Sequence, residues 1–304
     1  MDAQLAAALP ALPYVGLADP RAARVAMEEL ARTLGGPAAD PRVEVADRRA
    51  DGVPVRIYRP RHAPGPVPVL VYLHGGGFCT GGLDTEHARC VGLAAEAGVL
   101  VVSVDYRLAP EHPFPAGFED AYTALCWTAA HAAGLGGDPS RLAVGGGSAG
   151  GCLAAGLALR ARDEHGPPLA FQLLLYPVLD DRRATASMRA YTAPPLFNRG
   201  DVDHMWRHYL GGDAEAPVYA APARAADLRG LPPAFVLVAE IDPLRDEALD
   251  HAVRLVRAGV PTGLLHVPGA YHGFDTVPGA AVGREALEAQ YRALRRALDS
   301  SPDK

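Results

Sequence analysis

The chain has 304 residues, 49% of them hydrophobic, and a formal net charge of −6. That length can bury one large core or two modest ones, and an acidic balance with no basic run argues against nucleic acid as a partner. No apolar stretch approaches the ~20 residues of a membrane span, and Met1-Asp2-Ala3-Gln4-Leu5 has no cationic leader, so the expectation is a cytoplasmic protein with no membrane partner.

An amphipathic helix is predicted at Pro20–Leu34, with Ala23, Val25, Met27 and Leu30 among its apolar positions. Val43–Ala46 and Val53–Tyr58, separated by Asp51-Gly52, predict an antiparallel edge hairpin. Val67–Leu73 is the next strand, and it runs into His74-Gly75-Gly76-Gly77-Phe78. Three consecutive glycines leave backbone N–H groups uncovered, and acyl transfer needs such donors for its oxyanion. His74 lies far ahead of the serine discussed next and reads as a brace for this loop.

Helical patterns at Asp84–Ala97 and Phe118–Ala133 flank a strand at Gly98–Asp105. A strand at Arg141–Gly145 then leads into Gly146-Gly147-Ser148-Ala149-Gly150 and a helix at Ala149–Arg162. In a Gly-x-Ser-x-Gly turn from strand to helix, glycines permit the sharp backbone and the serine hydroxyl is lifted above the sheet. A flexible turn is the plainer alternative, but the remaining parts of a nucleophilic site follow in order.

After a strand at Phe171–Pro177, the segment Pro177–Leu231 breaks the alternating rhythm. It carries a helix at Arg199–Leu210 with Asn198 as N-cap and Asp201 three positions on. Met205, Trp206 and Tyr209 give that helix an apolar face and are expected, with Phe78, to bind substrate. A lid is the expectation; packed decoration is the alternative. The strand Ala234–Ile241 ends at Asp242, ahead of a helix at Arg245–Ala258; the strand Gly263–Val267 ends near His272, ahead of a helix at Arg284–Leu298. Of the histidines after Ser148, His251 reads as a surface residue and His266 lies within a strand, while His204 and His208 flank Trp206. His165 is the remaining one besides His272, which sits on a loop beyond a strand end, where it can reach the serine. Asp242 can accept from its ring N–H; a simple helix N-cap is the alternative, and Glu240 is the fallback acid.

Alternating strands and helices with near-continuous apolar strands predict an α/β fold, a mostly parallel sheet covered on both faces. HGGGF, the run Asp105 to Ala116 (DYRLAPEHPFPA), GGSAGG, Asp242 to Glu247 (DPLRDE) and His272-Gly273-Phe274 together resemble the hormone-sensitive-lipase-like esterases, α/β-hydrolases of the bacterial carboxylesterase type. The resemblance runs from about Val53 to the end. It implies Ser148, Asp242 and His272 as catalytic residues and Gly76, Gly77 and Ala149 as oxyanion donors. The element pattern itself is read as N-terminal cap helices in 1–45 and a catalytic domain in 46–304 with a cap insertion at about 178–231. The implied reaction is hydrolysis of short- to medium-chain acyl esters, a small-molecule substrate, with no cofactor and no metal. Many members carry aspartate just before the serine, where this chain has Gly147.

Cys79, Cys90, Cys126 and Cys152 form no C-x-x-C pair, which removes zinc and thioredoxin-like motifs. Lys304 is the only lysine, so Ser–Lys dyads, Schiff-base lysines and P-loop lysines are excluded from the fold. Amide or N-acetyl hydrolysis would use the same triad. A non-catalytic receptor on this fold would lack the histidine, and the glycines at 75–82 lack dinucleotide-binding spacing. The sequence leaves the oligomeric state, homodimer included, open.

Overall fold

The structure, a computed structural model, describes residues 1–35, 39–212 and 215–299. Lys304 lies outside them. An eight-stranded sheet has the order β1-β2-β4-β3-β5-β6-β7-β8. Its strands are β1 (Val43–Ala50), β2 (Val53–Pro60), β3 (Val67–Leu73), β4 (Leu100–Val104), β5 (Gly137–Gly147), β6 (Phe171–Leu175), β7 (Ala234–Ile241) and β8 (Thr262–Tyr271). β2 pairs antiparallel with both β1 and β4 at one edge, and the six strands β3 to β8 run parallel. Asp51 and Gly52 both take positive φ, at 47° and 96°, which is the turn geometry that matches strand twist in a two-residue hairpin.

The continuous apolar strands are explained by burial on two sides. Val69, Val71 and Leu73 enter one core cluster, while Leu70 and Tyr72 enter the other. This is the period-2 alternation of a strand with helices on both faces. The first cluster includes residues of α4 (Ala116–His131), α5 (Ala149–Asp163) and α8 (Arg245–Arg257); the second includes residues of α3 (His87–Ala97) and α9 (Ala281–Leu298).

Three other helices matter for the site: α2 (Pro20–Leu34), the short Ala186–Ala190 helix, and a helix at Arg199–Leu210 here called the insertion helix. The insertion helix has the expected Asn198–Asp201 capping box. It is latched to the N-terminal segment: Tyr14 Oη donates to Asp201 at 2.8 Å, Leu17 N to Asp201 at 3.1 Å, and His208 Nε2 to the Leu17 carbonyl at 3.1 Å. Helix α2 is pinned by Arg24, whose Nε donates to the Cys79 carbonyl at 2.9 Å and whose guanidinium pairs with Glu111.

Two expectations need correction. Val25 is exposed rather than part of the buried face of α2. His251 is buried at 2% exposure rather than on the surface. In α8 the buried set is Glu247, Ala248, His251, Ala252 and Leu255, a single helical stripe, and His251 falls on it. Burial lowers its pKa to about 4, so the ring is neutral.

Candidate active site

Parallel strands bring their C-terminal ends to one rim, and loops from that rim build sites. Four such ends matter here: those of β3, β5, β7 and β8.

Ser148 follows β5 directly. Its backbone has φ 56° and ψ −117°, a conformation that costs a non-glycine residue about 1–3 kcal/mol. Surrounding contacts hold it: Ser148 N donates to the Leu175 carbonyl at 2.9 Å, and the Ser148 carbonyl accepts from Cys152 N at 3.1 Å and Val178 N at 3.2 Å. The flanking glycines are sterically required. A Cβ on Gly146 would lie 2.4 Å from the Leu73 carbonyl oxygen, and one on Gly150 only 1.9 Å from it. Close passage of the turn against β3 thus explains the motif.

His272 lies on the loop after β8, and its Nε2 is 2.9 Å from Ser148 Oγ. Its Nδ1 is 2.7 Å from Asp242 Oδ2. A carboxylate accepts, so Nδ1 carries the proton and Nε2 faces the hydroxyl as acceptor. Asp242 is 1% exposed, and its other oxygen accepts from Leu244 N at 2.8 Å. The two readings of Asp242 therefore both hold: one oxygen shapes the turn into α8, the other orients the histidine. Glu240 is not the acid; its carboxylate accepts from Gly269 N. The imidazole is also held by aromatic contacts, stacked on Phe197 at 4.6 Å and edge-on to Tyr176 at 4.8 Å. This chain of hydrogen bonds can draw a proton from the serine and stabilise the imidazolium that forms.

Gly76 and Gly77 line the same cavity as Ser148 and His272. Gly77 has φ 58°, and a Cβ there would meet Leu17 Cδ1 at 2.4 Å; at Gly76 a Cβ would lie 2.3 Å from the Thr80 carbonyl oxygen. Ala149 is fully buried at the first turn of α5. His74 braces this loop from below, as expected: it stacks on Tyr106 at 4.1 Å, and its Nδ1 donates to the Gly75 carbonyl at 2.7 Å. Burial lowers its pKa to about 4, outweighing that hydrogen bond, so it stays neutral. Burial pushes the neighbouring Cys79 thiol up to about 12, which makes it unreactive at neutral pH.

Phe78, Met205, Trp206 and Tyr209 were expected to bind substrate, and the structure places them elsewhere. All four are at most 3% exposed and none lines the cavity. Phe78 stacks on Tyr209 at 3.6 Å with Trp206 beside it, a wedge packed behind the glycine loop. The apolar face of the insertion helix points into the core. The cavity, of ≈170 Å³, is instead walled by Met27, Leu30, Ala31 and Leu34 of α2 and by Leu196 and Phe197 just before the insertion helix.

Sequence reasoning also missed a buried polar cluster beneath His272. Arg89 donates to both oxygens of Asp275, at 3.0 and 3.1 Å, and to Tyr176 Oη at 3.2 Å. Tyr176 Oη in turn donates to Asp275, and Gln290 Nε2 does so at 2.7 Å. This cluster bears on the departure at Gly147. A Cβ there would meet the Tyr176 ring at 3.3 Å, so the phenol fills the flank that a side chain would use. Among the described residues no group of three or more His, Cys, Asp or Glu could hold a metal ion, and no helix is long and apolar enough to cross a membrane.

A Ser–His–Asp chain on the C-terminal rim of this sheet, with the nucleophile turn after β5, defines an α/β-hydrolase. Comparison with known proteins agrees. A family model described as alpha/beta hydrolase fold matches residues 70–276. Carboxylesterase NlhH of Mycobacterium tuberculosis is 46% identical over 255 residues, covering 81% of this chain and 79% of that protein. Esterase LipI of the same species is 41% identical over 277 residues, covering 88% and 86%. Among solved structures, a bacterial heroin esterase superposes with a TM-score of 0.95 at 44% identity, covering 99% of this chain and 98% of that one. The chain belongs to the α/β-hydrolase family, in its hormone-sensitive-lipase-like branch of bacterial carboxylesterases.

Proposed function

We propose that the protein is a serine carboxylesterase that hydrolyses short- to medium-chain acyl esters of small molecules through an acyl-enzyme. The observation that carries this reading is the continuous hydrogen-bond chain from Ser148 Oγ through His272 to Asp242. Ser148 attacks the ester carbonyl while His272 takes its proton. The N–H groups of Gly76, Gly77 and Ala149 receive the oxyanion. His272 protonates the departing alkoxide, and water repeats the cycle on the acyl-enzyme. Asp242 keeps the imidazole in the required tautomer. No cofactor enters these steps.

The cap in this reading comprises the N-terminal helices in 1–45 and the insertion at about 178–231, set on a catalytic domain in 46–304. Helix α2 and the Leu196–Phe197 pair close over the serine. A cytoplasmic location belongs to the same reading. The small apolar cavity supports short acyl chains. For p-nitrophenyl acetate, butyrate and decanoate, kcat/KM is expected to be at least about tenfold higher for the two shorter esters than for the decanoate, in line with pocket discrimination between chain lengths. A rate that rises steadily to decanoate would contradict the small-pocket assignment while leaving the triad in place.

A further inference from the structure

The walls of the Ser148 cavity are aliphatic, aromatic or bare backbone at most positions. Thr85, Ser148, Tyr176, His272 and Thr276 are polar, and Glu86 is the one carboxylate among the lining residues. It stands just ahead of α3, and its carboxylate is only 18% exposed.

Its charge balance is incomplete. Arg89 Nε lies 3.2 Å from Glu86 Oε2, and Tyr72 Oη donates to the same oxygen at 3.3 Å. The same guanidinium makes its shorter, two-pronged contact with Asp275, whose carboxylate is fully buried. Two carboxylates therefore share one guanidinium. The remaining partners, Tyr72, Tyr176, Gln290 and the Gly75 N–H of the glycine loop, which donates to Glu86, are neutral hydrogen-bonding groups. A buried charge calls for a counter-charge. Asp275 is turned away into the protein, whereas Glu86 borders space that a ligand can enter. Burial raises the Glu86 carboxyl above its ordinary range, more than Arg89 lowers it. A cationic ligand would supply the missing charge directly.

We propose that Glu86 is a specificity residue that recognises cationic esters, acyl esters whose alcohol portion carries an ammonium group placed against its carboxylate. The proposal rests on the esterase reading above and names the substrate class for that site. With the carbonyl at Ser148, the acyl and alcohol portions share the cavity formed by α2 and the Leu196–Phe197 pair. An alkylated ammonium satisfies both features of that space, since its methyl groups suit the aliphatic walls and its charge suits Glu86.

The test uses acetylcholine and 3,3-dimethylbutyl acetate, which share a shape and differ by a charged nitrogen in place of carbon. Wild-type kcat/KM is expected to favour acetylcholine by about tenfold, the scale of one charge-assisted contact in a partly buried site. In Glu86→Gln the ratio is expected to fall to about one. The ratio, unlike either rate, is insensitive to a general loss of activity through the glycine loop. A wild-type ratio near one, or a ratio unchanged in Glu86→Gln, would overturn the proposal while ester hydrolysis itself stands. Absence of hydrolysis of these esters and of p-nitrophenyl acetate by the wild type would overturn the esterase reading instead, and the proposal with it. Should the variant not fold, competition in the wild type decides. Choline is expected to inhibit p-nitrophenyl acetate hydrolysis with about a tenfold lower inhibition constant than 3,3-dimethylbutanol, and equal constants would overturn the assignment.

Discussion

Ser148→Ala is expected to lower kcat for p-nitrophenyl acetate by a factor on the order of 10⁶. The magnitude follows from the geometry. Ser148 Oγ is the atom joined to His272 Nε2, and no neighbouring hydroxyl lines the cavity in an equivalent relation to that nitrogen. Residual turnover would come from the oxyanion donors and from binding alone. Stability should change by less than about 1 kcal/mol, because the strained turn is held by backbone hydrogen bonds that the substitution leaves in place. Kinetics and thermal unfolding on the same preparation separate the two effects. Turnover above about 1% of wild type in a folded variant would remove Ser148 as nucleophile.

The largest expected loss of stability comes from the cluster under the histidine loop. Asp275→Ala leaves Arg89 buried without its principal partner, which costs about 3–5 kcal/mol and lowers Tm by roughly 10 °C. Replacing all three ionisable members, as Arg89→Met with Asp275→Asn and Glu86→Gln, is expected to cost less than the single change, because no uncompensated ion is left behind. The pH dependence has a definite sign. Burial pushes the Asp275 carboxyl up, but Arg89 together with the hydrogen bonds from Gln290 and Tyr176 outweighs it and holds the group below its ordinary range. A group depressed in the folded state binds fewer protons there than in the unfolded chain. Its stabilisation is therefore complete above the ordinary aspartate range and is lost as pH falls through the folded value. A single variant as stable as wild type at neutral pH would show that Arg89 does not depend on this partner.

Much of the architecture was legible because the strands are buried on both faces, and two-sided burial writes itself as unbroken apolar runs. Val67–Leu73 and Ala234–Ile241 have the bounds expected of them. Arg141–Gly145 extends to Gly137–Gly147, because glycines that read as turn residues continue the ladder with β3 and β6. The short helices Ala3–Ala8 and Ala186–Ala190 carry too few turns to show a period. The meeting of Ser148, His272 and Asp242 was legible for a different reason: each follows an apolar strand, and chain order leaves few candidates.

Cavity-lining residues were misjudged because an apolar helix face looks the same whether it meets a core or a pocket. Met205, Trp206 and Tyr209 meet the core. The usable signal was in α2, where Met27, Leu30, Ala31 and Leu34 form a stripe on a helix otherwise rich in charge. Arg89, Glu86 and Asp275 were missed because residue type alone suggests surface positions. Only the folding of α3 against the β8 loop and α9 puts them together.

Active-site labelling tests the central assignment most directly. A fluorophosphonate probe followed by peptide mapping is expected to place the adduct on Ser148 in the wild type and to show almost none in a folded His272→Ala variant. An adduct on another residue, or undiminished labelling of Ser148 without His272, would contradict the account.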